Sequence, residues 1–261
     1  MFSGIMTNAW AVGTIVAVVA GVVGVFVVLR SAAFVVHGVP LSSFAGAAGA
    51  SLIGVSSVVG LAVFAPVAAL SIGWFGRRRR RDVVTALVVA TMLGLGALFL
   101  SWSNEYAAQI YALLFGDVLG VTDAELWLSA GLAGAALLAV AVMYRPLLLT
   151  SVSAEAAAAR GIRSGLVDML FLVLVALVTT TAVPVVGALL MFTLMVGPPA
   201  AARAVVRSPI GAMALSVAIA LVTLWASIAA SYVTNWPIGF YVGTIGAAWV
   251  LAARAWSALR R

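Results

Sequence analysis

The chain has 261 residues, of which 65% are hydrophobic and 8% are charged, and its formal net charge is +7. Average globular domains carry about 25% charged residues, so a protein this size with so few charges could not cover a water-exposed surface. The composition excludes a soluble protein and predicts a polytopic membrane protein of the all-α class. The absence of cysteine excludes disulfides and thiol catalysis.

Apolar stretches of roughly 20 residues, the length of a membrane-crossing helix, recur along the whole chain. We count nine of them and predict a single membrane domain over residues 1–261 with about nine transmembrane helices. The predicted spans are 9–29, 33–54, 56–76, 83–102, 124–144, 166–183, 185–206, 209–232 and 238–257.

The positive charges test this count, because arginine and lysine are enriched in cytoplasmic loops. All fourteen positive residues are arginines, and with nine crossings and the N-terminus outside, every one falls on the cytoplasmic side. The charge pattern therefore predicts an external N-terminus and a cytoplasmic C-terminus. It also indicates that the basic charge sets topology and contacts membrane lipid, so we expect no nucleic-acid partner. The arginines are Arg30, Arg77 to Arg81, Arg145, Arg160, Arg163, Arg203, Arg207, Arg254, Arg260 and Arg261.

Small residues recur at helical spacing in the first two spans, which favours close helix packing. They are Gly13, Ala17 and Gly21 in the first span, and Ser42, Gly46, Ala50 and Gly54 in the second.

Residues 105–121, before the fifth span, are too few to cross a membrane twice. We expect them to lie along the outer interface or to re-enter the membrane.

The longest predicted cytoplasmic connection is residues 145–165, and it contains the signals of a short helix. Ser153 can cap its N-terminus, Glu155 lies in its first turn, Arg160 lies in its last turn, and Gly161 can end it. An ordered helix between two spans favours docking to a cytoplasmic partner. A surface loop that is merely helical is the alternative.

The seventh predicted span runs into Gly197-Pro198-Pro199 before any charge appears. Each proline removes a helix N–H, so the carbonyls of Leu194 and Met195 lose their usual partners. In a membrane, unpaired carbonyls are tolerated only against protein or a wet cavity. We therefore predict that this helix breaks here, faces the protein interior, and lines a transport path with Met195, Pro198 and Pro199.

Four stretches in order resemble the permease subunits of the metal-ion ABC transporter family, ABC-3, which imports zinc, manganese or iron. They read Y-A-L-L-F-G-D-V-L-G-V-T-D-A-E-L before the fifth span, S-A-E-A-A-A-A-R-G-I in the 145–165 connection, V-G-A-L-L-M-F-T-L-M-V-G-P-P-A-A-A-R in the seventh span, and N-W-P-I-G before the last. Their order and spacing fit from about Trp10 to Arg254, which is nearly the whole chain.

The resemblance implies an ABC importer permease bundle in the cell membrane that forms a homodimer and moves zinc or manganese along the dimer interface. It implies two further partners, an ATP-binding subunit below and an extracellular solute-binding lipoprotein above. Residues 153–161 would be the coupling helix that contacts the ATP-binding subunit through Ser153, Glu155, Arg160 and Gly161. The chain has no Gly-x-x-x-x-Gly-Lys phosphate loop, so we predict no enzyme activity and no cofactor in this chain, with ATP bound by the partner.

Two positions depart from the family pattern, in which an aspartate and a histidine four residues later contact the metal. Aligning on Arg30, Phe34 and Gly46 places His37 at the aspartate position and Leu41 at the histidine position. His37 is the only histidine and is our candidate metal ligand or gate residue, since neutral imidazole binds zinc and manganese. One histidine per chain cannot complete a four-coordinate site, so a hydrogen-bonded histidine at the mouth remains the alternative.

Two further features have simpler interpretations than a functional one. Met191 and Met195 are four residues apart and could bind a soft ion, but methionine usually fills gaps in cores, which we favour. Asp168 is an intramembrane carboxylate and so a candidate functional residue, but its closeness to Arg163 favours an interfacial ion pair.

Three functional alternatives stay open: metal import, import of a metal chelate or other small solute on the same fold, and a stand-alone carrier without an ATPase.

Overall fold

Helices make up the computed structural model, which describes residues 5–76, 81–102, 114–116 and 120–259. Ten helices and no strand are assigned within these residues. They are α1 (Ile5–Leu29), α2 (Ala33–Leu52), α3 (Ser57–Phe75), α4 (Arg81–Ser101), α5 (Asp123–Val152), α6 (Ala154–Ala159), α7 (Ser164–Val186), α8 (Ala188–Val205), α9 (Pro209–Thr234) and α10 (Ile238–Leu259).

The long helices coincide with the predicted spans, and the prediction of an all-α polytopic membrane protein is confirmed. Eight of these helices are long and apolar enough to cross a membrane. Helix α8 lies at the position of the seventh predicted span. Most boundaries agree within a few residues, but α5 continues through Pro146 to Val152, well past the predicted end of its span. Much of the predicted 145–165 connection is therefore helix.

The interior of the bundle is formed by α1, α2 and α7. About 70% of each of these spans is buried, against 22% for α4 and for α5. Helix α1 packs on α5, α7, α8 and α9, whereas α2 packs on α3, α4 and α8. Neither interior nor peripheral spans show a polar face, because a helix in contact with protein or with lipid is apolar all round.

Glycines set the closest helix crossings, as the small-residue pattern predicts. A Cβ on Gly21 of α1 would lie within 3 Å of the Val217 backbone of α9. A Cβ on Gly46 of α2 or on Gly60 of α3 would collide with the other glycine's carbonyl. Backbones can approach this closely only where side chains are absent, so these positions fix how α1 meets α9 and how α2 meets α3.

The break expected at Pro198 and Pro199 is wrong, because α8 is continuous across both prolines. The discontinuity lies at Gly187, which has φ 86° and ψ 154° and separates α7 from α8. A proline's own φ is compatible with a helix, and the carbonyl that Pro199 leaves unbonded, that of Met195, packs against Gly24 of α1. The prolines therefore lie within a continuous helix, where Pro199 meets α1.

Two sequence predictions fall largely outside the described residues. The interfacial or re-entrant segment 105–121 is described only at 114–116 and 120–121, and the arginines at 77–80 are not described. Of the 114–116 segment, Gly116 has φ 83°, and a Cβ there would collide with the backbone of α7 at Val185 and Val186.

Candidate functional site

The lone histidine lies in the second turn of α2 and touches α8. Its ring meets that of Phe192 edge to face, with centroids 5.0 Å apart and planes at 73°. The Nδ1 atom of His37 is enclosed and has no hydrogen-bond partner among the described residues. The side chain is half-buried, so packing fixes the ring while its Nδ1 atom stays without a partner among the described residues.

A cavity of about 310 Å³ lies beside His37, between α2 and α4. Phe34, 46% exposed, is part of its lining, so the cavity opens on the surface of the protomer. Within the described part of the chain, no group of three or more His, Asp or Glu residues is placed to hold a metal ion. This chain therefore supplies one imidazole and an otherwise apolar surface to the cavity. The lining residues are Phe34, His37, Gly38, Leu41, Ala86, Val89, Ala90 and Leu93.

The predicted path residues of α8 are buried inside the protomer. Met191, Leu194 and Met195 are fully buried, and Pro198 and Pro199 are buried as well. The expectation that the two methionines are core residues is confirmed, as is the expectation that the proline-containing helix faces protein. The lining role of Met195, Pro198 and Pro199 stays a prediction, since Met195 and Pro199 lie against α1 and none of the three lines the cavity beside His37.

The α6 segment, which we define as residues 153–161, has the caps that the sequence predicts. The Ser153 hydroxyl accepts a hydrogen bond of 3.1 Å from the Ala156 backbone N–H. Gly161 adopts φ 76° at the C-terminal end, where its N–H donates to Ala158 and the Ile162 N–H donates to Ala157. This paired arrangement is the Schellman motif, which requires a residue in the left-handed region and favours glycine.

The surface of the α6 segment is available for contact. Glu155, Arg160 and Gly161 are exposed, and of the α6 helix only Ala157 is buried. Both ends are closed by local hydrogen bonds, so this six-residue helix keeps its shape without packing on all sides. Its predicted coupling role through Ser153, Glu155, Arg160 and Gly161 remains a prediction.

The carboxylate of Asp168 pairs with Arg30 and not with Arg163, which corrects the sequence expectation. The Arg30 Nη1 atom lies 2.5 Å from the Asp168 Oδ1 atom, and the Arg30 side chain is only 8% exposed. Burial lowers the pKa of the Arg30 guanidinium, and the neighbouring Asp168 carboxylate opposes that shift. Arg163 is nearer in sequence, but it is exposed and precedes α7, so proximity along the chain was a poor guide.

Two glycines with positive φ were missed by the sequence interpretation. Gly116 and Gly187 lie against each other's backbones: a Cβ on either would be within 3 Å of the other's neighbouring main-chain atoms. The contact joins the Leu114-Phe115-Gly116 segment to the turn between α7 and α8. A glycine directly after a proline-containing apolar stretch was the available signal, but the sequence cannot show which backbone it meets.

A bundle of helices, eight of which are long and apolar enough to cross a membrane, defines a polytopic membrane protein. The ABC 3 transport family model matches residues 3–256. The chain therefore belongs to the ABC 3 transport family and is a multi-pass protein of the cell membrane.

Individual proteins resemble the chain over most of its length. It is 28% identical over 213 residues to the manganese import system permease protein ScaB of Streptococcus parasanguinis, covering 81% of this chain and 76% of ScaB. It is 28% identical over 199 residues to the manganese transport system membrane protein MntC of Halalkalibacterium halodurans, covering 76% of this chain and 68% of MntC. The structure of PsaBC from Streptococcus pneumoniae in complex with Fab has a TM-score of 0.87 at 24% identity, over 96% of this chain and 91% of that chain, which shows a shared fold.

Proposed function

We propose that the chain is the membrane-spanning permease subunit of an ABC importer that moves a divalent transition metal, with manganese as the first candidate and zinc as the second. The match of the family model over residues 3–256 carries this proposal. The names of the relatives ScaB and MntC support manganese. In this scheme the arginine-bearing ends of the helices face the cytoplasm, the N-terminus lies outside and the C-terminus lies inside.

The position of the His37 cavity supports transport through a homodimer. The cavity opens on the protomer surface formed by α2 and α4, and a two-fold axis passing there would bring two imidazoles together. Two imidazoles, together with oxygen ligands from water or from a solute bound to the metal, come closer to the coordination number of manganese or zinc than one imidazole does. His37 then acts as a ligand or gate on the path, and Met195, Pro198 and Pro199 support its wall from inside the protomer.

The α6 segment supports a partner that hydrolyses ATP. Its exposed, doubly capped helix offers Glu155 and Arg160 to a groove on an ATP-binding subunit. ATP-driven approach of two such subunits would pull the segments of both protomers together and alternate access to the path. A solute-binding lipoprotein would deliver metal at the opposite end. Hydrolysis takes place in the partner, and this chain carries out no chemical step.

Photocrosslinking tests the ATPase partnership. Glu155 and, in a separate variant, the 75% exposed Trp127 are replaced by a photoreactive phenylalanine analogue in the transporter in its own membranes. We expect position 155 to crosslink to a protein whose sequence carries a Gly-x-x-x-x-Gly-Lys loop, and position 127, at the other end of the bundle, to give no such product. Recovery of no ATP-binding subunit from position 155 would favour a stand-alone carrier.

Substitution of His37 tests the path. We expect His37→Ala to lower Mn²⁺ uptake about tenfold or more at limiting Mn²⁺, because an imidazole donor is lost from the path. Phe192→Leu is the matched control: it removes the ring that packs on His37 but keeps the imidazole, so most uptake is retained. Full uptake by His37→Ala would end the ligand assignment and favour a chelated or different solute, while leaving the permease assignment intact.

A further inference from the structure

The corner between α1 and α2 is a rigid turn. Ser31 has φ 51°, the Ser31 N–H donates to the Val28 carbonyl, and the Ala32 N–H donates to the Val27 carbonyl. These two bonds form a Schellman motif with a residue other than glycine in the left-handed position. The turn therefore holds Arg30 in a fixed direction relative to both helices, although Arg30 itself lies outside them.

The guanidinium of Arg30 reaches two other helices. It pairs with Asp168 in the second turn of α7 at 2.5 Å and donates to the Thr150 hydroxyl in the last turn of α5. The Thr150 hydroxyl donates its own proton to the Pro146 carbonyl at 2.8 Å, so a lone pair is left to accept from Arg30. The Phe171 ring lies 5.0 Å from the guanidinium carbon and covers it.

These two partners lie on either side of the α6 segment in the chain. Thr150 is three residues before Ser153, and Asp168 is seven residues after Gly161. Arg30 thus bonds to α5, the helix before the α6 segment, and to α7, the helix after it. The α6 segment is expected to move with an ATP-binding subunit. If α5 and α7 moved without the α1–α2 corner, the buried guanidinium would lose its charged partner, which is costly in a low-dielectric site.

We propose that Arg30 is a positioning residue that transmits movement of the α6 segment to helix α2, and so to His37 two turns further on. This inference rests on the proposed function. Asp168 also lines a polar cavity of about 260 Å³ together with Arg81 at the start of α4. Arg30, and not Arg81, is the arginine within ion-pair distance of Asp168 among the described residues, so the connection from α7 to the α1–α2 corner is made through Arg30.

Coupling between ATP use and transport tests the proposal in the complete, reconstituted transporter. We expect Asp168→Asn and Thr150→Val to lower the amount of Mn²⁺ moved per ATP hydrolysed, by about tenfold for Asp168→Asn and less for Thr150→Val, while ATP hydrolysis continues. Arg30→Lys keeps the charge opposite Asp168, but lysine lacks the planar fork with which arginine bonds to both partners. Its ratio of Mn²⁺ moved to ATP hydrolysed should therefore lie between those of the wild type and Asp168→Asn. Arg207→Gln, an exposed arginine of the α8–α9 connection, is the matched control and should leave the ratio unchanged.

A distance measurement separates transmission from simple stability. The chain has no cysteine, so spin labels can be attached through Ser31→Cys and Ala158→Cys, both exposed positions. We expect the label distance to be narrow and equal in nucleotide-free and ATP-bound transporter, and to broaden or shift on ATP binding when Asp168→Asn is added. If Asp168→Asn does not accumulate, Thr150→Val is used for the same comparison.

The outcomes distinguish the inference from the function on which it rests. A wild-type transporter that moves no Mn²⁺ in response to ATP would overturn the proposed function. A wild type that transports, with variants whose ratio of Mn²⁺ to ATP and whose label distances match it, would overturn only the role of Arg30.

Discussion

Replacing Gly24 with valine is expected to lower the stability of the folded protein sharply. A Cβ on Gly24 would lie within 3 Å of the Met195 carbonyl and of the Pro199 ring. Neither neighbour is the end of a flexible side chain, so α1 and α8 would have to separate. Overpacking of this kind costs about 3 kcal/mol or more, which lowers the unfolding midpoint of a protein this size by about 10 °C.

The effect reaches beyond lost space, because Pro199 has already left the Met195 carbonyl without a helical N–H. With Gly24 in contact, that carbonyl is covered by protein. If α1 moved away, an unpaired carbonyl would be exposed within a membrane-spanning region, where such groups are poorly tolerated. The steric and polar penalties therefore act in the same direction.

Thermal unfolding in detergent, followed by size-exclusion chromatography, measures this prediction. Gly94→Val in α4 is the matched control, since no described atom lies within 4 Å of a Cβ at Gly94. We expect Gly94→Val to keep the wild-type midpoint within a few degrees, about the shift that surface substitutions produce. Equal midpoints for Gly24→Val and Gly94→Val would show that the close α1–α8 crossing is not needed.

Local and periodic features of this fold could be predicted from the sequence. Span positions follow from hydrophobicity alone, because a membrane helix must be apolar over a fixed length. The caps at Ser153 and Gly161 follow from hydrogen bonds that reach three to five residues along the chain. Each of these signals is contained within one segment, so no knowledge of the packing is required.

Contacts between distant segments could not be predicted in the same way. Arg30 and Asp168 are 138 positions apart, and the sequence offered Arg163 as a nearer partner for the carboxylate. The Met195 carbonyl, which Pro199 leaves without a helical partner, lies against Gly24 of another helix. For His37 the sequence identified the residue, but the packing on Phe192 and the cavity shared with α4 emerge only from the helix arrangement.

Substituting Gly187 with alanine is the second change for which we expect a large loss of folded protein. Gly187 combines φ 86° with ψ 154°, a region essentially restricted to glycine. A Cβ there would also lie within 3 Å of the backbone at Leu114, Phe115 and Gly116. Conformational strain alone costs about 1–3 kcal/mol, and the collision adds to it, since main-chain atoms cannot rotate away as a side chain can.

Gly54→Ala separates the two causes, because Gly54 also has a positive φ, 72°, but no described atom lies within 4 Å of its Cβ position. We expect Gly54→Ala to lower the unfolding midpoint by about 3 °C, from strain alone, and Gly187→Ala to lower it several times more. Gly116→Ala should match Gly187→Ala, since the contact is reciprocal. Equal, small shifts for all three variants would mean that strain accounts for the whole effect and that the 114–116 segment does not hold the α7–α8 turn.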